Sequence, residues 1–241
     1  MKIDLIGYGK MGHMIEEVAT QRNHKIVLTI DVTNQHDFTK ENISKADVAI
    51  EFTNPESAYQ NVMKCLEFKI PVVSGSTGWN QKLEEAKKYC RENHGSFLHT
   101  SNFSIGVNIF FEINKQLANL MASQPEYDVT MREVHHTAKK DAPSGTAVTL
   151  AEQILSQLPR KKNWVNNPSA TNEQLSIVSE RVDPAPGTHY VKYSSEVDDI
   201  EIIHTAHSRK GFALGAVLAA EHISDKKGIF SMKDVLNIAS S

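Results

Sequence analysis

The chain has 241 residues, with 26 lysines and arginines against 29 aspartates and glutamates and a formal charge of −3 at pH 7. That length suits one large or two small domains with a sizeable core, and 40% hydrophobic with 23% charged residues is an ordinary globular balance. The slight acidity speaks against a nucleic-acid partner, and the longest apolar run, 212–220, is far shorter than the ~20 residues a membrane span needs.

Lys2 to Ile6 reads as a short buried strand rather than a signal peptide, which sets the expectation of a cytoplasmic protein. It runs into Gly7-Tyr8-Gly9-Lys10-Met11-Gly12, after which Met14, Ile15, Val18 and Ala19 follow at helical spacing. This is G-x-G-x-x-G between a strand and a helix, the context a dinucleotide fingerprint requires. The glycines permit a tight turn and bring a pyrophosphate close to the positive end of the helix. A second strand, Lys25 to Ile30, ends in Asp31, where a carboxylate can accept hydrogen bonds from adenosine ribose hydroxyls.

The connection Val32 to Ala46 is short and polar, so that edge of the sheet is expected to be trimmed. Asp47 to Phe52 reads as a strand, and Pro55 opens a helix bearing Ala58, Val62 and Leu66. Ile70 to Ser74 is a strand closed by Gly75-Ser76-Thr77-Gly78, and a charged helix covers Gln81 to Glu92. Ser96 to Thr100 is another strand, leading into Ser101-Asn102-Phe103. Strands alternating with helices imply a parallel doubly wound sheet whose ligands lie at the carboxyl ends of the strands. Phe52-Thr53-Asn54, Gly75-Ser76-Thr77 and Thr100-Ser101-Asn102-Phe103 fall at such ends. Each alone is an ordinary polar turn; together they outline a cofactor cleft. Cys65 and Cys90 lack any metal-ligand spacing and read as two buried, reduced thiols.

After Gly106 the pattern changes. Phe110, Ile113, Leu117, Leu120 and Met121 mark a helix, Asp128 to Glu133 an alternating strand, and Thr146 to Leu158 a further helix. Residues 159–172 read as a loop, whose Arg160-Lys161-Lys162 forms a solvated rim or, alternatively, attracts an anionic substrate. Gln174 to Val182, Gly187 to Ser194 and Glu196 to His207 are strand-like without intervening helices, which implies a mixed or antiparallel sheet in a second domain. One face of it, carrying Ile177, Val191 and Ile202, must be covered by its own two helices or by a partner's sheet. Phe212 to Ile223 and Ser231 to Ile238 read as closing helices that pack back on the first domain. The expected fold is an α/β Rossmann-like dinucleotide-binding domain, residues 1–104 and 209–241, with an inserted α+β domain at 105–208.

The chemistry concentrates in Glu133 to Ala147. Within it stand two adjacent imidazoles, His135 and His136, two lysines, Lys139 and Lys140, and a Pro143-Ser144-Gly145-Thr146 helix start. A helix N-terminus with small residues exposes free N–H groups that suit an anion, and imidazole or ammonium beside it can move protons near neutral pH. No carboxylate/His spacing suggests a metal, and none is expected.

Glu-Val-His-His, Lys139 and Asp-Ala-Pro-Ser-Gly-Thr-Ala at 141–147 closely resemble the signature of the bacterial dihydrodipicolinate reductases (4-hydroxy-tetrahydrodipicolinate reductases) of the diaminopimelate and lysine pathway. The resemblance extends over nearly the whole chain, through 7–12, Phe-Thr-Asn-Pro-Glu at 52–56, Gly-Ser-Thr-Gly at 75–78, Asn-Phe-Ser-Ile-Gly-Val-Asn at 102–108, Gly-Thr-His at 187–189, His-Ser-Arg at 207–209 and 228–236. It implies hydride transfer from NADH or NADPH to a cyclic imine dicarboxylate. His135 would donate or accept the proton and Lys139 donate one, while His136 and the N–H groups of Gly145 and Thr146 would hold substrate carboxylates. The cofactor would contact Gly7, Tyr8, Gly9, Lys10, Met11 and Gly12, then Asp31, then Gly75, Ser76 and Thr77, then Thr100, Ser101, Asn102 and Phe103. The resemblance also implies a homotetramer built through the second-domain sheets. The chain departs from the family pattern in its compact glycine loop, in Asn54 where an arginine is common, in Ser76 for threonine and in Asp183 where glycine is frequent. Asp31 is followed by Val32 rather than a basic residue, which predicts a modest preference for NADH. Two other readings are a Rossmann oxidoreductase acting on an amino-acid semialdehyde or sugar, and a non-catalytic NAD(P)-sensing protein.

Overall fold

In the computed structural model, which describes residues 1–168 and 171–239, β1 (Lys2–Ile6), α1 (Lys10–Gln21) and β2 (Lys25–Ile30) follow the glycine fingerprint as its pattern requires. A 3-10 turn at Gln35–Asp37 and a one-turn α2 (Lys40–Ile43) are all that fits before β3 (Val48–Glu51), because Asn34, Asn42 and Asp37 fold the connection on itself by hydrogen bonds. Then come α3 (Pro55–Glu67), β4 (Val72–Ser74), α4 (Leu83–Glu92) and β5 (Ser96–His99). Asn54 caps α3 by accepting from Ser57 N, and Pro55 occupies the first turn, where its missing N–H costs nothing.

A long helix, α5 (Ile105–Met121), leads into β6 (Asp128–His135), α6 (Gly145–Gln157), β7 (Asn163–Val165), β8 (Gln174–Arg181), β9 (Gly187–Ser194) and β10 (Asp199–Ala206). The chain closes with α7 (Lys210–Ile223), β11 (Gly228–Phe230) and the short α8 (Met232–Val235). By contacts it forms two units, Met1–Ile105 with Lys210–Ser241, and Gly106–Arg209.

The first unit is a parallel six-stranded sheet in the order β11-β5-β4-β3-β1-β2. Its β3 and β4 are buried throughout, as strands covered on both faces must be. Ile15, Val18 and Ala19 of α1 pack with Ala213, Ala216, Val217 and Ala220 of α7 in one core. Ala58, Val62, Cys65 and Leu66 of α3 and Ala86 and Cys90 of α4 form another, and both cysteines are buried free thiols. The order of strands reverses direction at β1, so the crevice between the carboxyl ends of β1 and β3 is the switch point where ligands of such sheets bind. The last strand departs from the sequence reading: 228–230 was not expected to be a strand, yet it extends the sheet through β5, and the predicted closing helix shrinks to α8.

The second unit is a mixed sheet in the order β10-β9-β6-β8-β7. Val129, Met131, Ile177, Val191 and Tyr193 project from one face into a core closed by Phe110, Ala118 and Met121 of α5 and Leu150, Ala151 and Ile154 of α6. The sheet therefore covers that face with its own helices. The helix marked by Phe110, Ile113, Leu117, Leu120 and Met121 is α5, which turns Phe110, Asn114, Ala118 and Met121 inward and leaves Ile113 and Leu120 44% and 67% exposed. Two expectations for the segment after α6 need correction. The span 159–172 is not a plain loop: it contains β7, which pairs with β8, while Ser169 and Ala170 lie outside the described residues. Nor are Arg160 and Lys161 a solvated rim. Arg160 donates to the carbonyls of Met121, Ala122 and Tyr127, and the Lys161 ammonium is buried 2.6 Å from Asp128. No helix among the described residues is long and apolar enough to cross a membrane.

Candidate active site

The cofactor cleft of the first unit is built by close backbone approach. Gly7 has φ +97°, and a Cβ there would lie 2.0 Å from the Phe52 carbonyl oxygen, so no other residue lets the β1 and β3 turns abut. A Cβ at Gly9 would meet nothing within 4 Å, and no side chain caps α1 there. The helix N-terminus therefore stays open to a pyrophosphate. Gly9, Lys10, Met11, Phe52, Thr53, Asn54, Gly75, Ser76 and Thr77 line a cleft of about 340 Å³. Beneath it lies a residue sequence reasoning missed: the buried carboxylate of Glu51 accepts from Ser74 Oγ at 2.6 Å, Ser76 Oγ at 2.7 Å and Thr53 N at 3.0 Å. It ties together the loops that follow β3 and β4.

The remaining cofactor candidates are placed unequally. Asp31 accepts from Thr33 N at 2.7 Å and Thr33 Oγ1 at 2.6 Å, which hold its carboxyl below the usual range. Tyr8 donates its hydroxyl to Glu16 and lies against the His13 ring. Thr100 Oγ1 and Asn102 hydrogen-bond each other in the turn after β5. Phe103 is 2% exposed and packs its ring near Phe52 in the core, which leaves its backbone as the part a cofactor could meet. Ser101 is exposed.

In the second unit the inward face of β6 runs Val129, Met131, Glu133, His135, so a hydrophobic face turns polar at the strand's carboxyl end. Cross-strand pairing sets His189 of β9 opposite Glu133 and Arg181 of β8 opposite His135. Glu133 is fully buried, and the groups around it among the described residues can all donate. Ser144 N reaches its two oxygens at 3.0 and 3.2 Å, Arg181 Nη2 lies 3.2 Å from Oε1, and the Nε2 atoms of His135 and His189 stand 3.5 and 3.6 Å from Oε2. Burial alone would raise its pKa, but the hydrogen bonds from His135, His189 and Ser144 outweigh it and hold the carboxyl well below the usual range. Burial pushes His189 below the ordinary imidazole value, only partly countered by Glu133. The two imidazoles meet edge to face with their Nε2 atoms 3.3 Å apart. A Cβ at Gly187 would sit 2.8 Å from His135 Cε1, so that glycine is the space the ring occupies.

Ser144 caps α6 by accepting from Ala147 N at 3.2 Å. A Cβ at Gly145 would meet nothing within 4 Å, which leaves room for an anion before the first turn, where Thr146 follows. Lys139 pairs with Asp141 at 2.8 Å, and Arg181 fixes the same turn through the carbonyls of Lys139 at 3.3 Å and Asp141 at 2.5 Å. The family departure Asp183 has a structural role: it accepts from Thr137 N at 3.1 Å and Thr137 Oγ1 at 2.5 Å, beside His136. The sequence alone assigns no individual role to Glu133, Arg181, Ser144 or His189. Period-two alternation puts Glu133 and His135 on the same face as Val129 and Met131, a signal that a buried carboxylate with polar partners was due.

An open helix N-terminus at the switch point of a doubly wound sheet is the arrangement of a dinucleotide-binding unit, and together with the matches that follow it makes the chain an NAD(P)H-dependent oxidoreductase. Family models described as dihydrodipicolinate reductase, N-terminus and C-terminus, match residues 1–103 and 106–236. The chain belongs to the dihydrodipicolinate reductase family. It is 48% identical over 98% of both chains to a 4-hydroxy-tetrahydrodipicolinate reductase of Christiangramia forsetii. It is 33% identical, over 98% of this chain and 99% of the other, to one of Alkaliphilus oremlandii. A dipicolinate-bound dihydrodipicolinate reductase from Paenisporosarcina sp. TG-14 shares the fold, with TM-score 0.76 at 22% identity over 99% of each chain.

Proposed function

We propose that the chain reduces 4-hydroxy-tetrahydrodipicolinate to tetrahydrodipicolinate, a hydride and a proton being consumed and one water released. The observation that carries this reading is the meeting of His135 and of Ser144, which opens α6 next to Gly145, on the buried carboxylate of Glu133 at the end of β6. The bound nicotinamide supplies the hydride. The open α1 N-terminus, Lys10, Met11 and the turns at 75–77 and 100–103 would hold the cofactor, and Asp31 would accept from its ribose hydroxyls.

A conjugated imine that gains hydride builds negative character, and the protein's task is to quench it. His135 donates the proton, its ring held by Gly187 and by the carboxylate of Glu133. Lys139 gives a second acidic group once it exchanges Asp141 for the substrate. His136 and the N–H groups of Gly145 and Thr146 clamp a carboxylate, a charge-assisted contact at a helix N-terminus. Purified protein supplied with the intermediate and either cofactor is expected to oxidise that cofactor; no turnover with both would sink the assignment. Replacing His135 by Gln or Lys139 by Ala is expected to lower kcat about 100- to 10,000-fold with little change in cofactor KM. Full activity of either variant removes that role.

On cofactor choice the proposal is a modest preference for NADH. Asp31 presents a carboxylate where a 2′-phosphate would sit, Val32 is 87% exposed and carries no charge, and residues 31–36 contain no lysine or arginine. The ratio of kcat/KM for the two cofactors decides it: the expected value favours NADH by roughly 2- to 10-fold, the scale of about one weak charge contact, and a clear NADPH preference overturns it. We further place the protein in the cytoplasm, as a homotetramer assembled through the second unit's open sheet face.

A further inference from the structure

Glu133 Oε2, His135 Nε2 and His189 Nε2 form a triangle with edges of 3.3, 3.5 and 3.6 Å. Proton donation by His135 accounts for one imidazole beside a carboxylate. It does not account for two imidazoles turning the same ring nitrogen to the same carboxylate oxygen. Two nitrogens and an oxygen bonded to one ion at about 2.0–2.1 Å in tetrahedral geometry stand roughly 3.3–3.4 Å apart. The triangle matches that face within a few tenths of an ångström. No spacing along the chain reveals it, because residues 133 and 135 meet 189 only through the pairing of β6 with β9.

We infer that Glu133, His135 and His189 form a binding site for a divalent transition-metal ion of the Zn²⁺ class, and that a bound ion shuts off the enzyme. Imidazole and carboxylate together suit Zn²⁺ and its neighbours and disfavour Mg²⁺. The outer contacts already orient the set: Ser144 N at 3.0 Å and Arg181 Nη2 hold Glu133 Oε1, Oε2, which Ser144 N also reaches at 3.2 Å, faces the imidazoles, and Gly187 seats the His135 ring. The His135 side chain is 11% exposed against 6% for His189 and none for Glu133, so the fourth ligand position opens on the His135 side. Binding would end the contact of His189 Nε2 with Ser144 Oγ at 3.2 Å, and the Arg181 guanidinium opposes the ion's charge. Micromolar affinity is therefore expected rather than that of a closed structural site. The metal binding stands on geometry alone; the inhibition rests on the proposed role of His135, whose ring the ion withdraws from proton transfer.

The test titrates chelator-treated full-length protein with Zn²⁺ in competition with a chromogenic chelator, and with Co²⁺ followed by its visible absorption. One ion per chain and an intense tetrahedral Co²⁺ band are expected. His189→Ala and Glu133→Gln should each weaken binding by about 100-fold or more, while His36→Ala, at a surface histidine, leaves it unchanged. Circular dichroism of His189→Ala separates lost binding from lost fold, should Glu133→Gln prove unstable. Zn²⁺ should inhibit turnover in step with occupancy, reversibly by chelator, and millimolar Mg²⁺ should not. Failure of the native protein to bind one ion, or equal binding by folded His189→Ala, overturns the site. Binding without inhibition in an active enzyme overturns the second half, and an ion bound by a chain that never turns over tells against the proposed function and not against the site.

Discussion

Asp4 lies on β1 between Ile3 and Leu5, fully buried, and neither carboxylate oxygen has a hydrogen-bond partner among the described residues. Desolvation by burial raises its pKa from 3.8 to about 7, with Lys45 pulling the other way. Between those values the folded chain keeps a proton that the unfolded chain releases. The stability this proton represents is whole below about pH 4 and is lost as pH rises through 7. Asp4→Asn keeps the shape and cannot ionise, so it should raise Tm by a few degrees at pH 8, where the native carboxyl has given up its proton in a desolvated site. The gain should vanish near pH 4. Thermal melts at the two pH values decide it, and an equal shift at both would place the cost elsewhere than in the carboxylate's charge. Glu133 is the contrasting case: equally buried, it is surrounded by donors, and its charge is the stable form. Burial alone thus does not say which form a carboxylate takes.

At the scale of elements, Glu51 couples the ends of β3 and β4, because one side chain accepts from Thr53, Ser74 and Ser76. Glu51→Gln turns one acceptor oxygen into a donor facing hydroxyls and an N–H. The cleft-lining loops should loosen, raising KM for NAD(P)H about 10-fold, on the scale of one to two lost hydrogen bonds, with kcat at saturating cofactor nearly unchanged. A fall in kcat with KM intact would show that Glu51 acts on the chemistry instead. The strands that bear this site were legible because alternation or a continuous apolar run marks them, and β1, β2 and β9 begin and end where the residues say. The three-residue β7 and β11 were not, since they are strands only by pairing with β8 and β5. A segment that short has no period of its own. The same limit hid His189, whose partner Glu133 is 56 positions away and opposite it only in the folded register.

At the scale of the whole molecule, one face of the second unit's sheet carries no helix of that unit among the described residues. Across it Ile203, Tyr190, Arg132 and Val178 form a cross-strand row, with the Arg132 guanidinium 3.9 Å from the centre of the Tyr190 ring and Ile203 51% exposed. The neighbouring row sets Glu201 opposite Lys192 and continues through Thr130 to Ser176. A partly apolar row flanked by both charge signs can meet a symmetry mate of itself, since each Lys192 can find a Glu201 across a two-fold axis. A charge placed on Ile203 would be buried in that contact and left unpaired, at a cost of several kcal/mol, while in a monomer it would sit in water at almost none. Sedimentation of the native chain is therefore expected to give at least a dimer, the proposed tetramer requiring a second two-fold contact between such pairs, and Ile203→Glu a smaller species with unchanged circular dichroism. A native monomer at micromolar concentration, or an Ile203→Glu variant that sediments like the native chain, would move the interface off this face.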